Sequence, residues 1–584
     1  MGQSSSKNSG SINTQVIEAT DANGLVFLIN ENNHTAEIIN SPKTTNDILV
    51  PSYIKYKYQQ YKIKNINTGS FKYNNNIKTI TFSEDSELSS IGSIAFSWST
   101  LRSITIPPSV IKIGSDIFYG CNNLQSVIFS ENSQIRIINK DIFLNSSVEE
   151  IYFPSSIEQF EEGWCKGIEK LTKVTISPNN RHFTIINNSF IVGKTDPNKE
   201  TFNSLIFSVR NIESAIIPEK IECIRPFSFS NCKKMNSIEF KGNSKLASIG
   251  SEAFSYSSLE SICIPSSCRR IDDSAFVYCK ALKSVTFSES SQIQKFSKYL
   301  FSYSSIEELY IPSSLAELEE GWCKGIEKLK KVTISPHNQH FTVVDNSFIA
   351  GKSDTLNTLI FSVRNIESAI IPEKIECIGP LTFSNCKKLN SIEFKENSRL
   401  VSIGKQAFSW SSITRICLPK SLRKINEHSF SFCTNLRAIE FSENSELELI
   451  DESAFSNTSI EAVSIPSSVL RIEESAFSSC QNLRKIELKS NSMLHSIEKY
   501  AFAESSLRNI SVPSGVRHIA GLAFYNCGCF SCAEFLCSGT FNDSIIANCK
   551  NFFLASFPNS KEVSMKIFDL NTISENFSLF ICAA

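Results

Sequence analysis

Nineteen cysteines, seven histidines and a set of carboxylates on short alternating runs are the residues of this chain whose types could do chemistry. The cysteines are periodic. Cys121, Cys232, Cys279, Cys386, Cys433, Cys480 and Cys527 each stand three residues after an aromatic, and the intervening aromatics are followed at the same distance by Ser99, Ser146, Ser257, Ser304, Ser411, Thr458 and Ser505. A column that alternates Cys with Ser or Thr, one residue per layer of a stack, holds its sulfurs two layers apart, about 9–10 Å at strand spacing. A disulfide requires Cα atoms within about 7 Å. These thiols are therefore expected to be buried small side chains, and so many unpaired thiols fit a reducing compartment. Near the end, Cys527, Cys529, Cys532 and Cys537 read C-x-C-x-x-C with Cys549 beyond. No His follows at zinc-ligand spacing, so no metal site is expected.

The histidines are His34, His182, His337, His340, His428, His495 and His518. Only His337 and His340 are close, and in an internal copy of this segment Asn179 takes the first place and His182 the second. A metal pair would need both. Phosphate-cradling, nucleophile-elbow and zinc-protease motifs are missing in usable context. The carboxylates Glu239, Glu393, Glu440 and Glu487 fall in one column of strand positions whose neighbouring layers carry Cys, Thr, Tyr or Ser. Acid/base glycoside chemistry needs carboxylates closer together. The column reads instead as a mixed binding face. Tyr152 is flanked by Glu149 and Glu150, and Tyr310 by Glu307 and Glu308; an aromatic beside acids suits a basic protein partner. No enzymatic activity, cofactor or small-molecule substrate is expected.

The elements that must position these residues are repeats. Anchor aromatics Phe71, Phe96, Phe118, Phe143 and Trp164 are spaced 25, 22, 25 and 21, and Phe229, Phe254, Phe276, Phe301 and Trp322 repeat the same series. From Phe383 through Phe408, Phe430, Phe455, Phe477 and Phe502 to Phe524 the spacing alternates 25 and 22. A larger duplication is superimposed: EEGWCKGIEK stands at 161–170 and 319–328, and SVRNIESAIIPEKIECI at 208–224 and 362–378. Within a unit, L-x-x-I-x-I has the period of a strand, and the Pro that follows ends pairing. One unit cannot bury its apolar face alone, whereas stacked units share a core.

The skeleton L-x-x-I-x-I-P…I-G-x-x-A-F-x-x-C resembles the BspA-like leucine-rich repeat. IGSIAFSWSTLRSITIP (91–107), IGSEAFSYSSLESICIP (249–265) and IEESAFSSCQNLRKIEL (472–488) carry it. The resemblance covers about residues 48–527 and implies a parallel-strand solenoid with a binding or adhesion role of the kind found on microbial and protist surface proteins. The GWCKG units at 163–167 and 321–325 lose the A-F pair.

The expected organisation is a polar, disordered tail at 1–16, a cap of short strands at 17–60, the solenoid at 61–527 and a second cap at 528–584. Hairpin-like insertions are expected at about 179–217 and 337–371, where FTIINNSFIVGK and SLIFSVR read as two extended runs. The net charge of -1 offers no pull toward nucleic acid. No apolar run is long enough for a transmembrane helix. The start MGQSSSKN fits the N-myristoylation pattern with Gly2 and Ser6 in place. One acyl chain without a nearby Cys or basic cluster gives weak, reversible membrane binding. The expected function is a repeat scaffold that binds proteins at the cytoplasmic face of a membrane or in the cytoplasm; the alternative is a cell-surface adhesin or antigen.

Overall fold

The computed structural model describes residues 17–557, apart from 197, 199, 346, 353–356, 537–539, 542–544 and 553, and residues 580–583. Gly2, with the rest of 1–16, lies outside the described residues, as does Cys537. The chain divides into two compact units, one made of residues up to 259 with 271–279 and the other of 260–270 with residues from 280 onward.

Each repeat turn contributes two strands. The first is four residues long, as in Ser103–Ile106, where Ile104 and Ile106 are buried and Thr105 is exposed. The second is two residues, as in Lys112–Ile113, with only Ile113 inward. Both pair in parallel with their equivalents in adjacent turns: Ser103–Ile106 with Ser126–Phe129, and Lys112–Ile113 with Ser90–Ile91. The fold is thus a parallel β-solenoid, and among the described residues it contains no helix. The Gly after the second strand answers a close approach. A Cβ on Gly114 would lie 2.4 Å from the Ser93 backbone nitrogen of the turn below.

The anchor rings stack along the core. In the second unit, Phe383, Phe408, Phe430, Phe455, Phe477, Phe502 and Phe524 follow one another at centroid distances of 4.8–5.6 Å, all fully buried. The first unit has the same arrangement in Phe71, Phe96, Phe118 and Phe143. Two residues beyond each Phe anchor the backbone turns left-handed, with Trp98 at φ 57, Tyr256 at φ 56 and Trp410 at φ 63. Bulky residues rarely adopt that conformation. The aromatic side chains there lie on their neighbours: Trp410 stacks on Phe432 at 4.3 Å and Tyr256 on Tyr278 at 4.8 Å. Gly120 makes room for the Trp98 ring, since a Cβ there would stand 2.6 Å from it.

The insertions are three-stranded antiparallel meanders rather than hairpins. Phe183–Ile186, Phe190–Gly193 and Ser204–Ser208 form one in the first unit; Phe341–Val344, Phe348–Lys352 and Asn357–Ser362 form the other in the second. The run FTIINNSFIVGK is itself a hairpin, because Asn187 and Asn188 both take φ 51 and reverse the chain in two residues. The third strand of each meander then pairs in parallel with a short repeat strand, Ser204–Ser208 with Cys223–Ile224 and Asn357–Ser362 with Cys377–Ile378. A similar meander, Ile17–Thr20, Val26–Asn30 and Thr35–Asn40, opens the chain. The expected boundaries are not boundaries of strand pairing. Asp47–Val50, inside 17–60, already joins the repeat sheet through Thr79–Phe82. Beyond 527 the ladder continues through Cys532–Phe535, Leu554–Phe557 and Phe580–Ala583.

Each insertion is tied in by a buried arginine. Arg210 is 3% exposed and donates from Nε to the Ile168 carbonyl at 3.1 Å and from Nη1 to the Ser228 carbonyl at 2.9 Å. Its guanidinium lies 4.4 Å from the Phe207 ring centre. Arg364 repeats this on the Ile326 and Thr382 carbonyls and the Phe361 ring. The interruption leaves turn carbonyls without strand partners. A guanidinium, with five N–H groups and no acceptor, satisfies several at once.

Candidate functional site

The third residue of each four-residue repeat strand faces outward, so parallel pairing lines these residues up at about 4.8 Å per layer. In the first unit, Leu49, Thr81, Thr105, Ile128, Tyr152 and Thr175 share one column. Its lower part opens into a cleft of about 530 Å³ whose walls include Thr81, Thr105, Pro107, Pro108 and Ile128. In the second unit, Cys263, Thr286, Tyr310 and Thr333 form one stretch. A longer one runs Ile370, Glu393, Cys417, Glu440, Ser464, Glu487, Ser511 and Glu534. Here a carboxylate recurs in every second layer, and all four Glu side chains are exposed. A cleft of about 400 Å³ beside Glu440 is lined by Glu443, Ser464, Lys489 and Asn491.

Ile128, Ile216 and Ile370 are 42%, 52% and 53% exposed in these columns, and the reading of the column from sequence passed over them. The strand position itself identifies them, since each stands between two inward residues of its own run. Glu239 faces out beside Ile216.

Several of the expected acidic anchors already have partners on the same face. Lys173 pairs with Glu150 at 2.5 Å, Lys330 with Glu307 at 3.0 Å, and Arg415 with Glu440. The Lys330 hydrogen bond holds the Glu307 carboxyl below its ordinary range. The Tyr152 hydroxyl donates to Glu131, which also accepts from Ser177 Oγ at 2.6 Å. Tyr310 differs from its copy: its hydroxyl is buried without a hydrogen-bond partner among the described residues. Glu149 and Glu308 are exposed at the strand starts. The face therefore carries paired charges of both signs rather than acids alone.

The periodic cysteines lie beneath, fully buried and free. Cys121 Sγ donates to the Phe96 carbonyl at 3.0 Å and lies 3.7 Å from Ser99 Oγ. Burial pushes Cys121 up to about 11 and Cys279 and Cys433 to about 12. A neutral buried thiol is a poor nucleophile and a poor ligand. His337 and His340 are exposed. Among the described residues no three His, Cys, Asp or Glu side chains gather where they could hold a metal ion. Nor, among those residues, is any helix long and apolar enough to cross a membrane.

Several solved structures are similar. A leucine-rich repeat protein from Eubacterium ventriosum is 21% identical, with 67% of this chain and 93% of that chain covered and a TM-score of 0.45. One from Bacteroides ovatus is 18% identical over 96% of this chain and 98% of that one, with a TM-score of 0.36. The pneumococcal vaccine antigen PcpA is 16% identical over 97% and 98%, with a TM-score of 0.39. None of the curated proteins matches the chain. The family model described as the BspA type leucine rich repeat region matches in six copies over residues 55–192, 200–342, 354–484 and 448–575. With its strand, Ile-Gly and anchor-Phe turn repeated through both units, the chain belongs to the BspA-type leucine-rich repeat family.

Proposed function

We propose that the protein is a non-enzymatic scaffold that binds another protein along its exposed strand columns and is held weakly at the cytoplasmic face of a membrane by a myristoyl group on Gly2. The column from Ile370 to Glu534 is the observation that carries the binding part, because parallel pairing turns single exposed residues into an ordered surface with carboxylates every second layer. Repeat proteins bind through extended faces of this kind. The M-G-x-x-x-S start supports the lipid, and the free thiols of the core support a reducing compartment.

Two experiments separate the parts. Metabolic labelling with a myristate analogue is expected to mark the natural chain and not Gly2→Ala; an unlabelled natural chain ends the lipid reading. A photo-crosslinking residue at Ser464 is expected to trap a partner that the same residue at Met493, on an exposed turn, does not. The double substitution Glu440→Lys and Glu487→Lys should abolish that crosslink.

The second reading is a surface adhesin or antigen, as membership of the BspA-type family suggests. The sequon Asn33-His34-Thr35 is favourable for it, since Asn33 is exposed on a turn and accepts from Thr35 Oγ1 at 2.6 Å. Glycan on Asn33 of the natural protein would replace the first reading with the second.

A further inference from the structure

The buried Cys column follows the repeat length. An anchor reached by a 22-residue step is followed by Cys, and one reached by a 25-residue step by Ser or Thr, as in Phe430, Phe455, Phe477, Phe502 and Phe524. Outside the GWCKG units, the order breaks at one place among the described residues. The step from Phe502 to Phe524 is 22 residues, and the next, to Ile546, is 22 again. The backbone fixes this register. Phe524 N–H donates to the Ile545 carbonyl at 2.8 Å and Asn526 N–H to Ala547 at 3.0 Å, just as Phe502 N–H donates to Ala523 at 2.9 Å one turn earlier. Cys549 therefore sits in the layer next to Cys527. Its Sγ donates to the Phe524 carbonyl at 2.9 Å, and Cys527 Sγ donates to the Phe502 carbonyl at 3.1 Å.

In the earlier layers reached by a 22-residue step, the side-chain neighbour of the Cys is a hydroxyl oxygen. Ser99, Ser257, Ser411, Thr458 and Ser505 stand 3.2–3.7 Å from the sulfur of the next turn. At Cys549 a sulfur, that of Cys527, takes the place of that oxygen, since the two thiols make equivalent bonds to the Phe524 and Phe502 carbonyls in successive layers.

We propose that Cys527 and Cys549 form an oxidisable pair that closes to a disulfide between adjacent turns of the stack, with a small-molecule disulfide such as oxidised glutathione as the oxidant. Neighbouring strands hold Cα atoms about 4.8 Å apart, inside the window of about 4.4–6.8 Å that a disulfide needs. Cys549 is half-buried and Cys527 fully buried, so access orders the steps. The Cys549 thiolate attacks one sulfur of glutathione disulfide and releases one glutathione. The Cys527 thiolate then attacks Cys549 Sγ and releases the second. Two protons and two electrons leave the protein, and one disulfide becomes two thiols. The hydrogen bond with Cys527, together with burial, holds the Cys549 thiol above its ordinary value, so closure should quicken as pH rises and more thiolate forms. Throughout the rest of the described column, the intervening hydroxyl layer keeps the sulfurs apart.

The test uses the full chain, equilibrated in glutathione buffers of rising oxidised fraction, quenched in acid and alkylated under denaturing conditions. Cleavage after Glu534 separates Cys527 from Cys549, so mass spectrometry reads the linkage directly. The expected result is the two peptides joined, lighter by two hydrogens, with two alkylatable thiols lost; Cys549→Ser, which restores a hydroxyl to that layer, should lose none. Persistence of both free thiols in the folded natural chain overturns the proposal. So does pairing of Cys549 with Cys529 or Cys532. The measurement on the natural chain decides by itself if the variant does not fold.

Discussion

Arg210 and Arg364 show how much a single side chain can carry in a repeat stack. Each is buried and is spent on backbone carbonyls from turns on both sides of a meander. Arg210→Met keeps the bulk and removes every donor. Leaving buried acceptors unpaired costs about 1–3 kcal/mol each, so a loss of about 3 kcal/mol is expected in urea unfolding, with Arg364→Met similar. Neither residue was legible as important from the sequence. Both lie in the duplicated SVRNIES segment, but duplication does not tell a buried arginine from an exposed one. The cysteines were legible, because alternation with Ser is a pattern only a layered core produces. In native-state alkylation at pH 8, exposed Cys263, Cys417 and Cys529 should react at least tenfold faster than Cys121, Cys279, Cys433 and Cys480.

At the scale of the element, the four-residue strand and the anchor Phe were readable from spacing, and the turn beyond the anchor was not. Position two after the anchor holds Trp98, Tyr256, Trp410, Asn457 and Ser479 with the same left-handed backbone. No residue type marks it, because the ladder of the turn imposes the conformation and ring stacking offsets the strain where an aromatic is present. Trp410→Asn should therefore change stability by less than about 1 kcal/mol, since Asn tolerates the conformation while the stack on Phe432 is lost. Phe430→Ala is different. It empties a site between two rings at 4.8 and 5.1 Å and should cost about 3–5 kcal/mol, measured by the denaturant midpoint. The meanders were misread as hairpins for a local reason. Asn187 and Asn188 make a two-residue reversal inside what looks like one extended run.

At the scale of the molecule, burial of many thiols makes stability depend on pH. Cys121, Cys165 and Cys480 rise to about 11 and Cys279, Cys323 and Cys433 to about 12, all from an ordinary value of 9.0, because burial disfavours the thiolate. The folded chain keeps protons that the unfolded chain releases. This stabilisation is intact below pH 9 and lost as pH rises toward 11–12, with a slope of about 1.4 kcal/mol per pH unit per thiol. Urea midpoints should hold level up to pH 8.5 and fall steeply above pH 9; a chain with Cys279→Ser and Cys433→Ser should show a shallower fall.

The alternation of sulfur and hydroxyl also constrains how such a protein can change length. Between meanders, adding or deleting turns in even numbers preserves the phase of the column, whereas an odd change sets like against like. Two oxygens meeting would be harmless, but two sulfurs meeting would create a bond whose existence depends on the surroundings. A change of two turns would thus leave the redox chemistry of the column as it is, and a change of one would alter it.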